Sequence, residues 1–400
     1  MPNPSPLLDG LRATRAVVDL DAIAANLRAI RSVIPAQTQV MAVVKADAYG
    51  HGAPWVARAA LTAGASSLGV ATVGEGQELR AYGLEAPIVL LGSIDPSEAA
   101  AACRAGLEIT IAHNELLASV QQTARDLDLP APVAVHLKID TGLRRYGALP
   151  DEAVALAARI AADAHLRFAG VFTHFASSDE PDDVFTADQL RIFTRAATAM
   201  REAGLVCPPL HVANSAAIFT GRGTDFDVVR AGIALYGVPP SSEVPLPATM
   251  RAALRLESRI TRIVPIAPGD SVGYNRTFVA ERSTRGALVA IGYADGYRRA
   301  LSGRGWMGVG GRPAAVLGRV SMDQVVVAVP EGVDARIGDP VAILGGDPAL
   351  AAPSALEMAE LIGSNAYEVL VGIRRRVPRI FMAGGDVVAV RSAVSGPVAV

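Results

Sequence analysis

Between about residues 39 and 235, this chain of 400 residues alternates short β-branched runs with amphipathic helical stretches, eight times over. The runs fall at 40–44, 67–71, 88–91, 108–112, 133–139, 168–173, 210–213 and 227–230. Helical patterns lie between them, for example at 53–63, 97–104, 115–127, 151–162 and 187–203. Gly64, Gly83, Gly106 and Gly204 each follow such a pattern, where a left-handed residue ends a helix. Alternation of this length requires parallel pairing. Eight units in about two hundred residues predict a closed (β/α)8 barrel, the TIM-type α/β fold. A doubly wound open sheet is the alternative. It needs a glycine-rich dinucleotide turn after its first strand, and Gly74-Glu75-Gly76 lacks the third glycine.

The flanks read differently. Residues 16–20 form a strand pattern and 21–33 a helix with Ile23, Leu27 and Ile30 on one face. Beyond about 245 the periodicity turns to strands: 258–266, 287–291, 314–317, 324–329, 340–344, 376–381 and 387–390, with one helix at 354–362. The chain is therefore read as a barrel with an N-terminal extension over 1–245 and a mostly-β domain over 246–400. A Pro- and Ser-rich linker lies near 238–247.

Composition removes several classes of function. A net charge of −2 offers no basic field to nucleic acid. Cys103 and Cys207 are too few for a disulfide framework or a structural zinc site. No apolar run reaches the ~18 residues of a membrane-spanning helix. Residues 1–15 are Pro-rich without an apolar core, so neither a signal peptide nor an anchor is expected there, and the expected compartment is the cytoplasm.

Lys45 and Lys138 are the only lysines among 37 cationic residues. Arginine keeps its proton near neutral pH, whereas a buried lysine can lose it and attack a carbonyl. Both lysines end an apolar run, in Val43-Val44-Lys45-Ala46-Asp47-Ala48-Tyr49-Gly50-His51-Gly52 and in His136-Leu137-Lys138-Ile139-Asp140-Thr141-Gly142. In a (β/α)8 barrel, strand ends are where catalytic groups gather. The other ends carry His174, His211 with Asn214-Ser215, and Arg230 with Gly232-Ile233. This set lacks a metal-ligand pattern. It suits a phosphorylated aldehyde cofactor: an amine for Schiff-base chemistry, a hydroxyl and backbone amides for a phosphate, a flat ring to stack, and a cation facing a pyridine nitrogen. Simpler roles stay open. Ser215 could be a helix N-cap, His174 a core histidine, Arg230 a partner for a carboxylate, and Lys138 half of an ion pair with Asp140.

The motifs place the resemblance. They include Ala42-Val43-Val44-Lys45-Ala46-Asp47-Ala48-Tyr49-Gly50-His51-Gly52, Leu137-Lys138-Ile139-Asp140-Thr141-Gly142, His211-Val212-Ala213-Asn214-Ser215, Val229-Arg230-Ala231-Gly232-Ile233, Ile291-Gly292-Tyr293-Ala294-Asp295-Gly296, Gly318-Arg319-Val320-Ser321-Met322-Asp323 and Tyr367-Glu368. In family order, over roughly residues 12–382, they resemble the alanine racemases, pyridoxal-phosphate enzymes with a barrel and a C-terminal β domain. The resemblance implies that Lys45 carries pyridoxal 5'-phosphate and is one acid/base group. It implies that Tyr274, oriented by His211, is the second. Tyr49, Asn214, Ser215, Gly232, Ile233 and Tyr367 would hold the cofactor, with Arg230 at the pyridine nitrogen and His174 against the ring. Arg145 and the amide of Met322 would bind the substrate carboxylate, Lys138 would be open to carbamylation, and Tyr293 would gate entry. It further implies a homodimer in which Tyr274 and Met322 reach the partner's site, and D-alanine supply for peptidoglycan.

Racemisation needs two groups, because the α-proton leaves from one face and returns to the other. An amine and a phenol have free pKa values near 10, so the site must lower them. The chain departs from the family at Asn275 and Arg144, where glycine is common, and at Phe278, where tyrosine is frequent. Arg144 is expected to add a second cation beside the carboxylate site. A broader or serine-preferring racemase is the near alternative. A non-catalytic pyridoxal-phosphate-binding barrel would lack residues 250–400, and a barrel decarboxylase would carry a late cysteine.

Overall fold

The computed structural model describes residues 8, 10–180, 184–393 and 396–399. Most of the Pro-rich start at 1–15 is described only from residue 10 onward, so the reading of residues 1–7 and 9 lies outside the described residues. After β1 (Arg15–Asp19), eight strands follow: β2 (Gln39–Val43), β3 (Ser67–Val70), β4 (Ile88–Leu90), β5 (Ile109–Ile111), β6 (Val133–Lys138), β7 (Leu166–Phe172), β8 (Leu210–His211) and β9 (Val228–Ala231). All neighbouring pairs within the two halves β4-β3-β2-β9 and β5-β6-β7-β8 are parallel. A parallel bridge between Val89 and Glu108 joins the halves on one side. On the other side the Arg230 amide donates to the Ala213 carbonyl at 2.9 Å. The barrel therefore closes. Its strands are apolar on both faces, as in Val40 to Val43, because side chains fill the inside and helices cover the outside.

The second unit is a sheet in the order β15-β14-β17-β10-β1-β18-β19-β20. Its strands are β10 (Leu254–Ile266), β13 (Thr284–Val289), β14 (Trp306–Val309), β15 (Arg312–Ala315), β16 (Val325–Ala328), β17 (Pro340–Leu344), β18 (Arg379–Ala383), β19 (Asp386–Ser392) and β20 (Gly396–Ala399). β13 and β16 extend from the far half of β10, and β11 (Ser271–Val272) with β12 (Phe278–Val279) forms a separate hairpin. The helix at 354–362 is present as Ala355–Ile362, closed by a Ser354–Glu357 capping box and Gly363.

Several features differ from the sequence reading. β1, read as an extension of the barrel, instead lies in the second sheet, antiparallel to β10 and parallel to β18. A strand flanked by polar turns can be placed on either unit by pattern alone, and its pairing partners lie more than two hundred residues away. A short helix, Ala366–Val371, also went unread because six residues are too few to show a period. It carries Tyr367.

The two units share one apolar core that runs from Ala16 to Ala389. At their seam Trp55 stacks on Phe381 with ring centroids 4.3 Å apart. Gly52 is required there, since a Cβ would sit 2.5 Å from the Phe381 ring. The buried Arg379 donates to the carbonyls of Gly50 at 3.1 Å, Val377 at 2.8 Å and Ile373 at 2.7 Å.

Candidate active site at the barrel mouth

Lys45 lies two residues beyond the end of β2, Lys138 ends β6, His174 follows β7, Asn214 and Ser215 follow β8, and Arg230 lies in β9. These residues line one cavity of about 280 Å³, together with Tyr49, Arg145, Gly232, Ile233 and Tyr367. The barrel thus gathers side chains from Lys45 to Ile233, 188 positions apart, because each parallel strand delivers its C-terminal end to the same rim, and Tyr367 joins them from the helix Ala366–Val371.

Lys45 sits above an unusual turn. Ala46, Asp47, Ala48 and Tyr49 take φ of 52°, 56°, 53° and 52°, a left-handed helical turn built without glycine. Such a conformation costs roughly 1–2 kcal/mol per L-residue, so the surroundings must hold it. The Glu75 carboxylate accepts from the amides of Ala46 and Ala71, each at 2.7 Å. Asp47 accepts from the Ala53 amide at 2.9 Å and pairs with both terminal nitrogens of Arg391. Gly50 closes the turn against the Leu370 carbonyl, where a Cβ would come within 2.5 Å. The turn swings Tyr49 back beneath the rim, with its ring 4.9 Å from Tyr236 and 5.9 Å from Tyr367. Neither Glu75 nor Arg391 was legible as a site residue, since neither lies in a strand-end motif.

Opposite the turn is a polar cradle. The Ser215 hydroxyl accepts from the amides of Gly232 at 2.9 Å and Ala234 at 3.3 Å. A Cβ on Gly232 would stand 2.8 Å from the Tyr49 hydroxyl, so only glycine leaves that hollow open. Ser215 is not the helix cap. Asn214 is, with its side-chain oxygen accepting from the Ala217 amide at 3.0 Å and from the Ser178 hydroxyl at 2.9 Å. Burial pushes the phenols of Tyr49 and Tyr367 up, Tyr367 to about 12, so both stay protonated donors.

Arg230 is 3% exposed and pairs with no carboxylate among the described residues. Its terminal nitrogens donate to the carbonyls of Thr173 at 2.8 Å, His211 at 2.9 Å and Val212 at 3.0 Å. They also reach Nδ1 of His211 at 3.1 Å and Nδ1 of His174 at 3.2 Å. Burial pulls its pKa down to about 9, which leaves it cationic at neutral pH. His174 opens onto the cavity. His211 does not: it is buried behind Arg230, stacked on Phe172, and its second nitrogen faces His136 at 3.3 Å. Both its ring nitrogens are engaged inside the barrel, one by Arg230 and the other by His136.

Burial depresses both lysines, and Arg145 and Arg230 push in the same direction; Lys138 falls to about 7. For Lys45, Glu75 acts the other way. Three expected residues are absent from this cavity. Tyr274, Met322 and Tyr293 lie on the second unit and are 69%, 53% and 39% exposed. They are nonetheless near one another in the fold. The Tyr293 amide donates to the Ser321 carbonyl at 3.1 Å, and Gly273, beside Tyr274, packs on the Arg319 backbone. No cluster of metal-ligating side chains occurs among the described residues.

The family described as "Alanine racemase, N-terminal domain" matches residues 18–240, and "Alanine racemase, C-terminal domain" matches residues 253–381. The chain belongs to the alanine racemase family. An alanine racemase of Symbiobacterium thermophilum is 40% identical over 381 residues, covering 95% of this chain and 99% of the relative. The solved alanine racemase of Bacillus anthracis with bound L-Ala-P is 35% identical with a TM-score of 0.88, covering 96% of this chain and 98% of that one. That of Bartonella henselae, with covalently bound pyridoxal phosphate, is 27% identical with a TM-score of 0.83, covering 93% and 100%.

Two departures from alanine racemase sequences gain a physical meaning here. Arg144 and Asn275 stand where glycine is common, and both have positive φ, 55° and 58°. Glycine suits that backbone without cost, asparagine tolerates it, and arginine is strained by it. Arg144 does not line the cavity, so the expected second cation at the carboxylate site is absent. The third departure, Phe278, lies in the β11–β12 hairpin opposite Val272.

Proposed function

We propose that this protein interconverts L- and D-alanine with pyridoxal phosphate held at the barrel mouth. One observation carries the reading: the depressed Lys45 amine shares a cavity with the Ser215–Gly232 cradle and an arginine whose Nε–H has no acceptor among the described residues. The residues fit the cofactor. Ser215, the amides of Gly232 and Ile233, Tyr49 and Tyr367 would hold its phosphate, Arg230 would meet the pyridine nitrogen, and His174 would lie against the ring. Bound there, the cofactor supplies a conjugated sink for the electron pair left when the α-proton departs.

The protein's own groups do the rest. Lys45 takes or returns the proton on one face, and its lowered pKa makes the free base accessible. Arg145 at the mouth attracts the substrate carboxylate. A second base is needed on the opposite face of the substrate. Tyr274 and Met322 are exposed on the second unit, so we propose a homodimer in which a second copy supplies both. Tyr293 would then stand at the entrance. Lys138, whose amine burial pulls down to about 7, is open to carbamylation, which would turn a cation into an anion beside Arg145. No described helix is long and apolar enough to cross a membrane. Cys103 and Cys207 are both free, which fits a reducing compartment, and we place the enzyme in the cytoplasm.

The test is direct. Purified protein is incubated with each L-amino acid in deuterated water, following α-deuterium and the opposite enantiomer. Alanine should exchange and racemise; failure of both with the cofactor bound would end the reading. Lys45→Ala should abolish both directions and the absorbance of the bound cofactor. Tyr274→Phe should impair proton removal from one enantiomer far more than from the other, and small equal losses would point to another second base.

A further inference from the structure

Arg230 presents a problem of charge. It is a buried cation whose contacts are three carbonyls and two imidazoles, and the cations Lys45, Lys138 and Arg145 line the same cavity. A buried charge needs compensation. The hydrogen bonds that leave Arg230 inward lead to a carboxylate. His211 Nε2 meets His136 Nδ1 at 3.3 Å, and His136 Nε2 meets Glu108 at 2.7 Å. Glu108 is bonded beyond that by Arg167, at 2.9 Å, on the outer side of the barrel.

The chain of bonds has one direction. A guanidinium can only donate, so His211 Nδ1 must be bare and its hydrogen must be on Nε2. That hydrogen requires His136 Nδ1 to be bare as well, and the His136 hydrogen then points at Glu108. Protonating either ring would set two N–H groups against each other, so both imidazoles must be neutral. Local structure is shaped around this arrangement. A bulge in the β6–β7 pairing falls between Val135 and His136, and it places His136 opposite Gly170. A Cβ at Gly170 would lie 2.4 Å from His136 Nδ1 and 3.3 Å from His211 Nε2. Bulges and strand glycines of this kind re-aim side chains and admit close neighbours.

We propose that His136 and Glu108 are positioning residues for Arg230: they fix the tautomer of His211 and supply the counter-charge of the guanidinium through the barrel interior. Their action commits one terminal donor of Arg230 to His211; the carbonyls of Thr173, His211 and Val212 and the His174 ring take the others, which leaves Nε–H for the cofactor. This rests on the proposed racemase reading and deepens it.

The experiment uses the holoenzyme and three variants. Glu108→Gln keeps an acceptor for His136 but removes the charge. His136→Phe cuts the path, and Gly170→Ala wedges the two rings without removing any polar group. Tautomers are read by ¹⁵N NMR of histidine-labelled protein, with His136→Phe assigning its own signal. In the wild type both rings should be neutral Nε2–H tautomers at neutral pH. In Glu108→Gln the His211 signal should shift toward a tautomer mixture, and kcat should fall roughly ten-fold in both directions with KM for alanine little changed. Gly170→Ala should behave in the same way while keeping its melting temperature within a few degrees. A wild-type Nδ1–H tautomer at either ring would overturn the proposal. So would Glu108→Gln or Gly170→Ala protein with unaltered kcat and unaltered His211 signal. Loss of alanine racemisation by the wild type itself would instead refute the function, so the two failures are distinguishable.

Discussion

At the scale of single residues, one charge and one backbone angle make predictions. The Lys138 amine falls to about 7 on folding, against 10.5 as its ordinary value. The unfolded chain then binds more protons between those values, so stability should rise with pH from about 7 to 10.5 and lose this contribution below 7. Denaturant melts in CO2-free buffer at pH 7 and 9, compared with Lys138→Met, check the sign. Carbamylation should be visible by ¹³C NMR after addition of labelled bicarbonate, and it should grow as the pH passes upward through 7. Arg144 holds φ of 55° with its side chain outside the cavity. Arg144→Gly should therefore stabilise the protein by about 0.5–1 kcal/mol, strain relief less the larger unfolded-state entropy of glycine, with kcat unchanged. Sequence alone revealed Lys45, Ser215 and Arg230 because each ends a strand in a run of small residues. It did not show which way His211 faces, because a histidine at the end of a strand looks the same whether it faces the mouth or the core. Glu108 and His136 carried no signal at all: one precedes β5, the other sits mid-β6, and the parallel pairing of those two strands brings them together.

At the scale of elements, the left-handed turn after Lys45 deserves the same scrutiny as the strands. The residues Ala46-Asp47-Ala48-Tyr49 contain no glycine, so nothing in their composition announces positive φ. The restraints are tertiary: Glu75 from one barrel helix, Arg391 from β19, and the Leu370 carbonyl behind Gly50. Removing one of them should loosen the delivery of Lys45 and Tyr49 more than the fold. We expect Arg391→Ala to release cofactor at least several-fold faster on dialysis, read by absorbance. Arg391→Lys should rescue it only in part, since an ammonium cannot make the two-pronged carboxylate contact. The eight barrel strands, by contrast, were readable one by one, because strands buried on both faces write continuous apolar runs. The four-residue β14 and the helix bearing Tyr367 were too short to show a period.

At the scale of the whole molecule, the proposed homodimer would make the cavity and the exposed face of the second unit two halves of one catalytic set. Mixing Lys45→Ala with Tyr274→Phe homodimers and allowing subunits to exchange should regenerate activity, because each mixed dimer holds one site with neither change. No recovery after demonstrated exchange would show that Tyr274 acts within its own chain or not at all. The architecture itself was legible from the eightfold alternation, as was the change of texture past residue 245. The placement of β1 was not, because strand patterns record which face is apolar and not which neighbour lies alongside. That strand, residues 15–19, sits between residues 254–266 and 379–383. During synthesis it must wait for its first partner, β10, until about two thirds of the chain has emerged, and for its second, β18, until nearly all of it has. The nascent enzyme is therefore exposed longest at its own beginning, and a chaperone that shields that segment would govern yield more than anything done at the catalytic rim.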